Sequence, residues 1–325
     1  MNEYKEFLRG AALSAGFSCA RVLSPFEPVD FCAGDISTVP ENYRSGSKSL
    51  LVCALPYGNR HTNAIPPCSS DIVPGVIAPF ARFNYYREAV KRMKSLSGIV
   101  RARYSGKKSE YRILCNSPVP EKPLAVACGL GAAGRNGLII TRESGSLFVI
   151  AAMTLPYLLE TDRPFSQPPQ KNWHDVEAPR QFPLCGNCRG KGLPGTPPCV
   201  AACPTGAALG TGYINLEKCI QWYASGHGGP EIPAPVLEVW GSRLYGCTSC
   251  QDACVHNTRP IQGVQTDEGT LPEFIEVRAL LKLSDGEIQA MFKGTAMGLS
   301  WLGPKAIKRN AEAVLKSASG AIVNC

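Results

Sequence analysis

Eight cysteines in the second half of the chain are spaced as ligands of iron–sulfur clusters. They form Cys-x2-Cys and Cys-x3-Cys pairs around a lone cysteine, and they are Cys185, Cys188, Cys199, Cys203, Cys219, Cys247, Cys250 and Cys254. Pro204 follows Cys203, as Pro follows the fourth cysteine of the run in bacterial two-cluster ferredoxins, where that cysteine ligates the other cluster. The pattern predicts two neighbouring 4Fe–4S clusters that pass single electrons.

The crossing rule of those ferredoxins assigns the ligands. The first cluster takes Cys185, Cys188, Cys199 and Cys254, and the second takes Cys203, Cys219, Cys247 and Cys250. The run is not standard, because ten residues separate Cys188 from Cys199 and Val255 stands where a second Pro is common. The inserted loop is rich in Gly and Pro, and it could alter the exposure and the potential of the first cluster.

Two other uses of the cysteines fit the sequence less well. The pairs Cys185/Cys188 and Cys247/Cys250 could form a zinc site, but the other four cysteines would then have no role. A disulfide framework is typical of short secreted chains. This chain has 325 residues, and it opens without an apolar signal core. We therefore expect reduced cysteines in a cytoplasmic protein.

The composition predicts a protein without a membrane partner and with an uneven charge. The longest apolar stretch, residues 147–159, is broken by Thr154 and Pro156 and is too short to span a bilayer. The net charge is +8, and residues 87–112 contain nine cations against two acidic residues. That segment could attract the phosphates of a nucleic acid or a cofactor, or it could be an ordinary solvated helix face.

Apolar periodicity predicts the elements that position these residues. A first helix should end at Gly16, and further helices are predicted at residues 85–96 and 122–128. Strands are predicted at residues 20–23, 49–54, 111–115, 137–141 and 146–152. The mixture predicts an α+β fold class, with one domain over residues 1–160.

The rest of the chain is predicted to hold a linker, the cysteine domain and a helical end. Residues 161–181 are rich in Pro, Gln and polar residues, as linkers and wrapping loops are. The cysteine domain covers residues 182–258. Residues 259–325 should pack back on the core as short helices at 271–281, 284–292 and 305–317. Ser284 and Glu287 are spaced as a capping box.

Segments along nearly the whole chain resemble epoxyqueuosine reductases. In the first half they are residues 78–86, 118–125, 145–146 and the run Gly129-Leu-Gly-Ala-Ala-Gly-Arg-Asn136. In the second half they are residues 203–207, 227–230, 245–247, 250–254 and the helix that contains Arg309-Asn310-Ala311. The segments follow one another in the family's order.

The resemblance implies a fold and a second cofactor. A nitroreductase-like domain would bind cobalamin, and a ferredoxin-like domain with two 4Fe–4S clusters would feed electrons to the cobalt. The family deoxygenates an epoxide on a modified tRNA base, and reductive dehalogenases share its architecture. Candidate cobalamin-binding residues are Gly129, Gly131, Gly134, Arg135, Asn136 and His227. Without an Asp-x-His-x-x-Gly motif, base-off cobalamin with no histidine ligand is expected.

The chain departs from the family at the residue that should supply a proton. The family's acid heads an Asp-x-x-Pro-x-x-Glu segment, and Cys115 takes the Asp position here. Asn84-Tyr85-Tyr86 replaces Asp-Tyr-His, and Arg135 replaces a Lys. Cys115, Tyr85 and Tyr86 are the candidate catalytic residues. The thiol could donate a proton, bind the metal or simply fill a buried strand end.

Three functions stay open on this sequence. The first is a reductase in which the clusters reduce a corrinoid that acts on a tRNA nucleoside or a small molecule, with the tRNA reaction in question because of Cys115. The second is a corrinoid-processing protein whose client is cobalamin itself. The third is an electron carrier without a corrinoid. Each needs an electron donor protein as a partner.

Overall fold

The computed structural model describes most of the chain. It covers residues 2–24, 48–58, 66–69, 71–163, 165, 182–186, 188, 195–259, 261, 263–264 and 270–322. Nearly all of the predicted linker and most of the loop before Cys199 lie outside these residues. Within the described ranges, no helix combines the length and the apolar character that crossing a bilayer requires.

Strands and helices are mixed along the chain, which confirms the predicted α+β class. The strands are β1 (Cys19–Leu23), β2 (Ser49–Pro56), β3 (Pro74–Ile77), β4 (Ile113–Leu114), β5 (Ala132–Ala133), β6 (Ile139–Ile140), β7 (Phe148–Leu155), β8 (Arg243–Tyr245) and β9 (Phe274–Glu276). The α-helices are α1 (Asn2–Ser14), α2 (Pro79–Arg82), α3 (Tyr85–Tyr104), α4 (Glu121–Ala127), α5 (Pro198–Ala201), α6 (Ile220–Ala224), α7 (Ala234–Leu237), α8 (Ser249–Asp252), α9 (Val277–Lys282), α10 (Asp285–Phe292) and α11 (Pro304–Ile322).

The chain divides into two units, each built from separate stretches. Unit 1 contains Met1–Tyr57, Tyr85–Asn187 and Arg259–Val264. Unit 2 contains Gly58–Asn84, Cys188–Thr258 and Gln265–Cys325. The domain limits predicted from the sequence, which cut the chain at single points, remain predictions.

Unit 1 is organised around a four-stranded antiparallel sheet of order β1-β2-β7-β4. β2 is buried along its whole length because helices cover both of its faces. On one face Leu51 and Leu55 pack with residues of α1 and α3, such as Leu8 and Met93. On the other face Leu50, Val52 and Ala54 of β2 pack with residues of α4. This double burial explains the continuous apolar sequence of β2.

Helix α3 confirms the predicted helix and continues it to Tyr104. Its buried residues follow helical spacing, and they are Tyr85, Ala89, Met93, Leu96 and Val100. The first helix also ends as predicted. Gly16 has φ +85°, and a Cβ there would meet the Arg92 guanidinium, which donates to the Ala15 carbonyl at 2.8 Å. Only glycine therefore fits that turn without strain.

Unit 2 contains a three-stranded sheet of order β8-β3-β9 over a core that includes the fully buried Trp240. The helix predicted from residue 271 is wrong in its first part, because residues 274–276 form β9, which pairs with β3. The Glu276 side chain accepts from the Ala279 N–H at 2.7 Å and so starts α9 behind the strand. The capping box of Ser284 and Glu287 is confirmed at the start of α10.

Candidate iron–sulfur centre and the Cys115 site

Four cysteines from three separate segments come together in unit 2. Cys203 follows α5, Cys219 precedes α6, and Cys247 and Cys250 lie at the start of α8. Burial, and after it the thiols of the other three and of Cys199, raise the pKa of Cys250 to about 12. Burial also raises the pKa of Cys219, and Cys247 and Cys203 add to it. The four are the residues assigned to the second cluster.

Hydrogen bonds to sulfur are already in place around this group. Cys203 Sγ accepts from the Ala208 N–H at 3.4 Å, and it lies 3.7 Å from the Thr205 hydroxyl. Burial acts to raise the pKa of Cys203, but these donors outweigh it and the pKa falls below its ordinary value. Such donors stabilise a thiolate and tune the potential of a cluster that it ligates.

The thiols are not gathered around a point. Among the described residues, no group of three or more His, Cys, Asp or Glu side chains is placed to hold one metal ion. A cubane cluster is larger than a zinc ion, and its four thiolates stand correspondingly further apart. The influence of Cys203, Cys219 and Cys247 on the pKa of Cys250 shows that these thiols are neighbours, and their assignment to one cluster stays a prediction.

The cysteines assigned to the first cluster fall in both units. Cys199 and Cys254 are buried in unit 2, and Cys188 is half-buried there. Cys185 lies in unit 1, in a turn where the Phe182 carbonyl accepts its N–H at 3.1 Å. The Arg135 guanidinium stacks on the Phe182 ring at 4.8 Å. The assignment of the first cluster stays a prediction.

In unit 1, Cys115 stands directly after β4. Its sulfur is 3.5 Å from the Ile150 carbonyl oxygen and 3.9 Å from that of Tyr86, and the S–H can donate to either. Burial, and after it the Glu121 carboxylate, raise the pKa of Cys115 to about 12. The group is therefore a neutral thiol near pH 7. A thiolate, not a thiol, is the nucleophile, so the raised pKa does not favour that role.

Glu121, the first residue of α4, supplies the carboxyl group of the same site. The sequence pattern had not singled it out as a candidate. Its Oε1 accepts the Ser117 N–H at 3.1 Å across the loop that follows Cys115. Burial raises the pKa of Glu121, although the N–H groups of Ser117 and Asn116 oppose the shift. Its place three residues after the segment's Pro was the available sequence signal.

The two candidate tyrosines differ in their surroundings. Tyr85 is buried, and its hydroxyl donates to the Tyr57 carbonyl at 3.2 Å, so it is engaged in packing. Tyr86 is 37% exposed, and its backbone oxygen faces the Cys115 thiol. The structure therefore brings Tyr86 and Cys115 together, and it directs the Tyr85 hydroxyl to a backbone carbonyl.

The segment that contains Gly129, Gly131 and Gly134 folds into the β5–β6 hairpin. A Cβ on Gly131 would lie 2.6 Å from the Ile140 oxygen, so the hairpin itself requires this glycine. Asn136 is buried, and its Oδ1 accepts the Leu138 N–H at 3.3 Å. The cobalamin-binding role of these residues and of Arg135 stays a prediction.

His227 lies in unit 2 beside the segment of the second cluster. Its ring stacks on Trp222 with centroids 5.2 Å apart, and its Nδ1 is 2.9 Å from the Ser225 hydroxyl. Trp222 is three residues beyond Cys219 in the sequence. The contacts place His227 against Trp222 in unit 2, whereas the Gly129–Asn136 run belongs to unit 1, and the cofactor-binding role of His227 stays a prediction.

The relatives of the chain are consistent with one another. No family model matches the chain. Epoxyqueuosine reductase of Synechocystis is 27% identical over 276 residues, which cover 83% of this chain and 84% of that one. Epoxyqueuosine reductase of Staphylococcus aureus is 27% identical over 298 residues, which cover 89% and 68%.

Solved structures show the same relationship for the fold. Epoxyqueuosine reductase from Bacillus subtilis, with its catalytic loop swung out of the active site, matches with a TM-score of 0.78 at 23% identity. The match covers 99% of this chain and 83% of that one. An epoxyqueuosine reductase with an epoxyqueuosine-modified tRNA-Tyr stem loop matches with a TM-score of 0.77 at 23% identity over 99% and 83%.

Fold and sequence therefore point to one class of protein, an α+β oxidoreductase. Within that class the chain is similar to epoxyqueuosine reductases over most of its length, which confirms the resemblance inferred from its motifs.

Proposed function

We propose that this chain is a reductase that carries two 4Fe–4S clusters and cobalamin and acts on a nucleoside epoxide of tRNA. The observation that carries the proposal is the grouping of Cys203, Cys219, Cys247 and Cys250 from three segments of unit 2. The substrate follows from the relatives, whose names state an epoxyqueuosine activity. Action on tRNA would place the protein in the cytoplasm.

The clusters supply electrons one at a time, and their ligands come from the eight cysteines. The cysteines of the second group are half-buried, and N–H and hydroxyl donors face Cys203. Both conditions tune the potential of a bound cluster. The proposal requires an electron donor protein as a partner, because the clusters must be reduced again after each turnover.

Cobalamin enters the proposal through the resemblance, and when bound it would supply a strongly reducing cobalt centre. The residues offered to it are those of the Gly129–Asn136 run and the exposed side chain of Tyr86. The Cys115 sulfur lies against the carbonyl oxygens of Ile150 and Tyr86, so the proposal assigns the corrinoid no sulfur ligand from this residue.

Reduction of an epoxide also needs a proton for the departing oxygen. The Cys115 thiol holds its proton too firmly for this purpose near pH 7. The carboxyl group of Glu121 stands beside it, and burial raises the pKa of Glu121, which favours the protonated form. We assign the proton to the Glu121 carboxyl, and we assign Cys115 a packing role.

The test is a metal analysis and a visible spectrum of protein prepared without oxygen and supplied with hydroxocobalamin. The proposal expects about eight irons per chain, the content of two cubane clusters, and about one cobalt. The loaded protein, given a chemical reductant and a tRNA stem loop with epoxyqueuosine, should yield queuosine by mass spectrometry.

Each result has a separate meaning. Iron without cobalt, and no spectral change on adding cobalamin, would leave an electron carrier and overturn the proposed mechanism. Iron and cobalt together without turnover of the stem loop would retain the redox centres and overturn the substrate.

A further inference from the structure

The solvent face of α3 carries a straight row of cations. Arg87, Lys91, Lys94 and Arg101 stand at positions i, i+4, i+7 and i+14, which fall on one side of a helix. The first three are exposed and Arg101 is half-buried. At 1.5 Å per residue the row is about 21 Å long. We call these four residues the α3 cation row.

The row is opposite the face that packs on the sheet. The buried residues of α3 include Ala89, Met93 and Leu96, and they form the core with β2 and β7. The apolar side of the helix is therefore already covered. A membrane-surface helix needs an apolar face that can enter the lipid, so a lipid partner does not fit.

The two acidic residues nearest to the row, Glu88 and Glu110, are engaged by other groups. Glu88 pairs with Arg92 at 2.7 Å, and the Glu110 carboxylate accepts the Lys107 N–H at 2.6 Å in its own turn. In the described part of the chain, no carboxylate forms an ion pair with Lys91 or Lys94. Lys91 and Lys94 therefore present positive charge to solvent in the middle of the row.

The row begins at the Cys115 site. Arg87 follows Tyr86, whose carbonyl oxygen faces the Cys115 thiol. A polyanion with one group at that site could extend along the helix. It would meet cations about 6 Å apart, which is a step of four residues, and then about 4.5 Å apart, which is a step of three residues. A nucleic acid strand is a polyanion of this kind, with one charge per nucleotide.

We propose that the α3 cation row binds the phosphate backbone of an RNA substrate and positions it at the Cys115 site. The inference rests on the proposed function in one respect, namely that the RNA is the substrate of that site. Phosphate contacts of this type fix position and add affinity without reading sequence. The row would therefore raise affinity for the RNA and leave the chemical step unchanged.

The experiment measures binding of a fluorescein-labelled RNA hairpin to the iron-loaded protein by anisotropy at several salt concentrations. The test variant is Lys91→Gln/Lys94→Gln. The matched control is Lys282→Gln/Lys293→Gln, which removes two exposed lysines from unit 2 and changes the net charge equally. Circular dichroism checks that both variants are folded.

Loss of two phosphate contacts should weaken binding by about tenfold at 0.1 M salt, and it should reduce the slope of log K against log salt by about 1.4 to 1.8. The control should bind as the unchanged protein does. Equal affinity of the test variant and the unchanged protein would overturn the proposal, and so would equal losses in both variants.

This binding assay needs no cobalamin, electrons or epoxide. Failure of the row to bind RNA is therefore distinguishable from failure of the proposed reaction, which is measured by cobalt content and turnover. A row that binds RNA in a protein that does not reduce the stem loop would leave the inference standing for a different RNA.

Discussion

The Cys115 thiol and the Ile150 backbone oxygen lie 3.5 Å apart, at the position where the resembling family has a carboxylic acid. A sulfur that is engaged by a neighbouring strand and half-buried is held as a neutral group. Of the roles open to it from the sequence, packing at a strand end agrees best with this contact.

The first prediction concerns the charge of Glu121 beside this thiol. Because burial and then Glu121 raise the pKa of Cys115, the change Glu121→Gln should lower that pKa and increase the thiolate fraction. Alkylation of Cys115 by iodoacetamide at pH 8 should become several-fold faster, since one pKa unit is about a tenfold change in thiolate. Peptide mass spectrometry follows the rate, and the exposed Cys68 is the internal control.

Turnover measurements should distinguish the role of Cys115 from that of Glu121. We expect Cys115→Ala to keep its iron and most of its activity on the epoxyqueuosine stem loop. Glu121→Gln should keep its iron and lose activity by about a hundredfold, the usual cost of removing a general acid. A reversed order, with the Ala variant inactive and the Gln variant active, would assign the proton to the thiol.

A single substitution should remove the predicted second cluster and leave the predicted first cluster in place. Cys219→Ala should lower the iron content from about eight to about four per chain, because one of two cubanes loses a ligand. Iron analysis and electron paramagnetic resonance of the reduced protein measure this. Cys68→Ala, which changes a cysteine outside the predicted ligand set, should leave the iron unchanged.

A buried ion pair in unit 1 predicts a stability change. Asp162 accepts from the Val22 N–H at 2.8 Å and pairs with Lys5 at 2.7 Å and with Arg9. Asp162→Asn leaves the Lys5 charge buried without its counterion, which should cost about 3 kcal/mol in urea denaturation. Glu3→Gln, which breaks an exposed pair with Arg103, should cost almost nothing.

The Asp162 carboxylate also predicts how the free energy of unfolding changes with pH. Burial would raise the pKa of Asp162, but hydrogen bonds from Lys5, Val22 and Arg9 outweigh it and lower the pKa. A lowered folded-state pKa means that the stabilisation is present above the unfolded value of about 3.9 and is lost as pH falls through the folded value. The free energy of unfolding of the Asn variant should therefore lose this acid dependence.

Replacement of Asn310 is predicted to lower the stability of unit 2. Its Nδ2 donates to the carbonyl oxygens of Ala224 and Leu244 at 2.9 and 3.0 Å, and its side chain is fully buried. Asn310→Ala leaves both oxygens without this donor, which should cost about 2 to 3 kcal/mol by urea denaturation. Lys316→Ala, an exposed change on the same helix, should stay within about 0.5 kcal/mol.

Elements with strong local patterns were predicted well. α3 repeats its apolar residues at helical spacing, and β2 is one apolar run, so each is visible in a short window of sequence. β9 was missed because residues 274–276 pair with β3, about two hundred residues earlier in the chain, and no local pattern reports such a partner.

For the candidate site, too, the local features could be predicted from the sequence and the tertiary ones could not. The cysteine spacing named the four thiols that meet in unit 2, because ligand spacing is a local property. The neutral state of Cys115 and the proximity of Glu121 depend on burial and on contacts with β7 and α3. These are tertiary properties, so the sequence left three roles open for one thiol.

The position of β3 between β8 and β9 sets a constraint on biosynthesis. β3 ends at Ile77, and β8, its parallel neighbour, begins at Arg243. At ribosomal rates of 5 to 20 residues per second, β3 must wait about ten seconds or more for its partners. During that interval an unpaired strand leaves the ribosome, so chaperones that shield nascent chains should favour the yield of this protein.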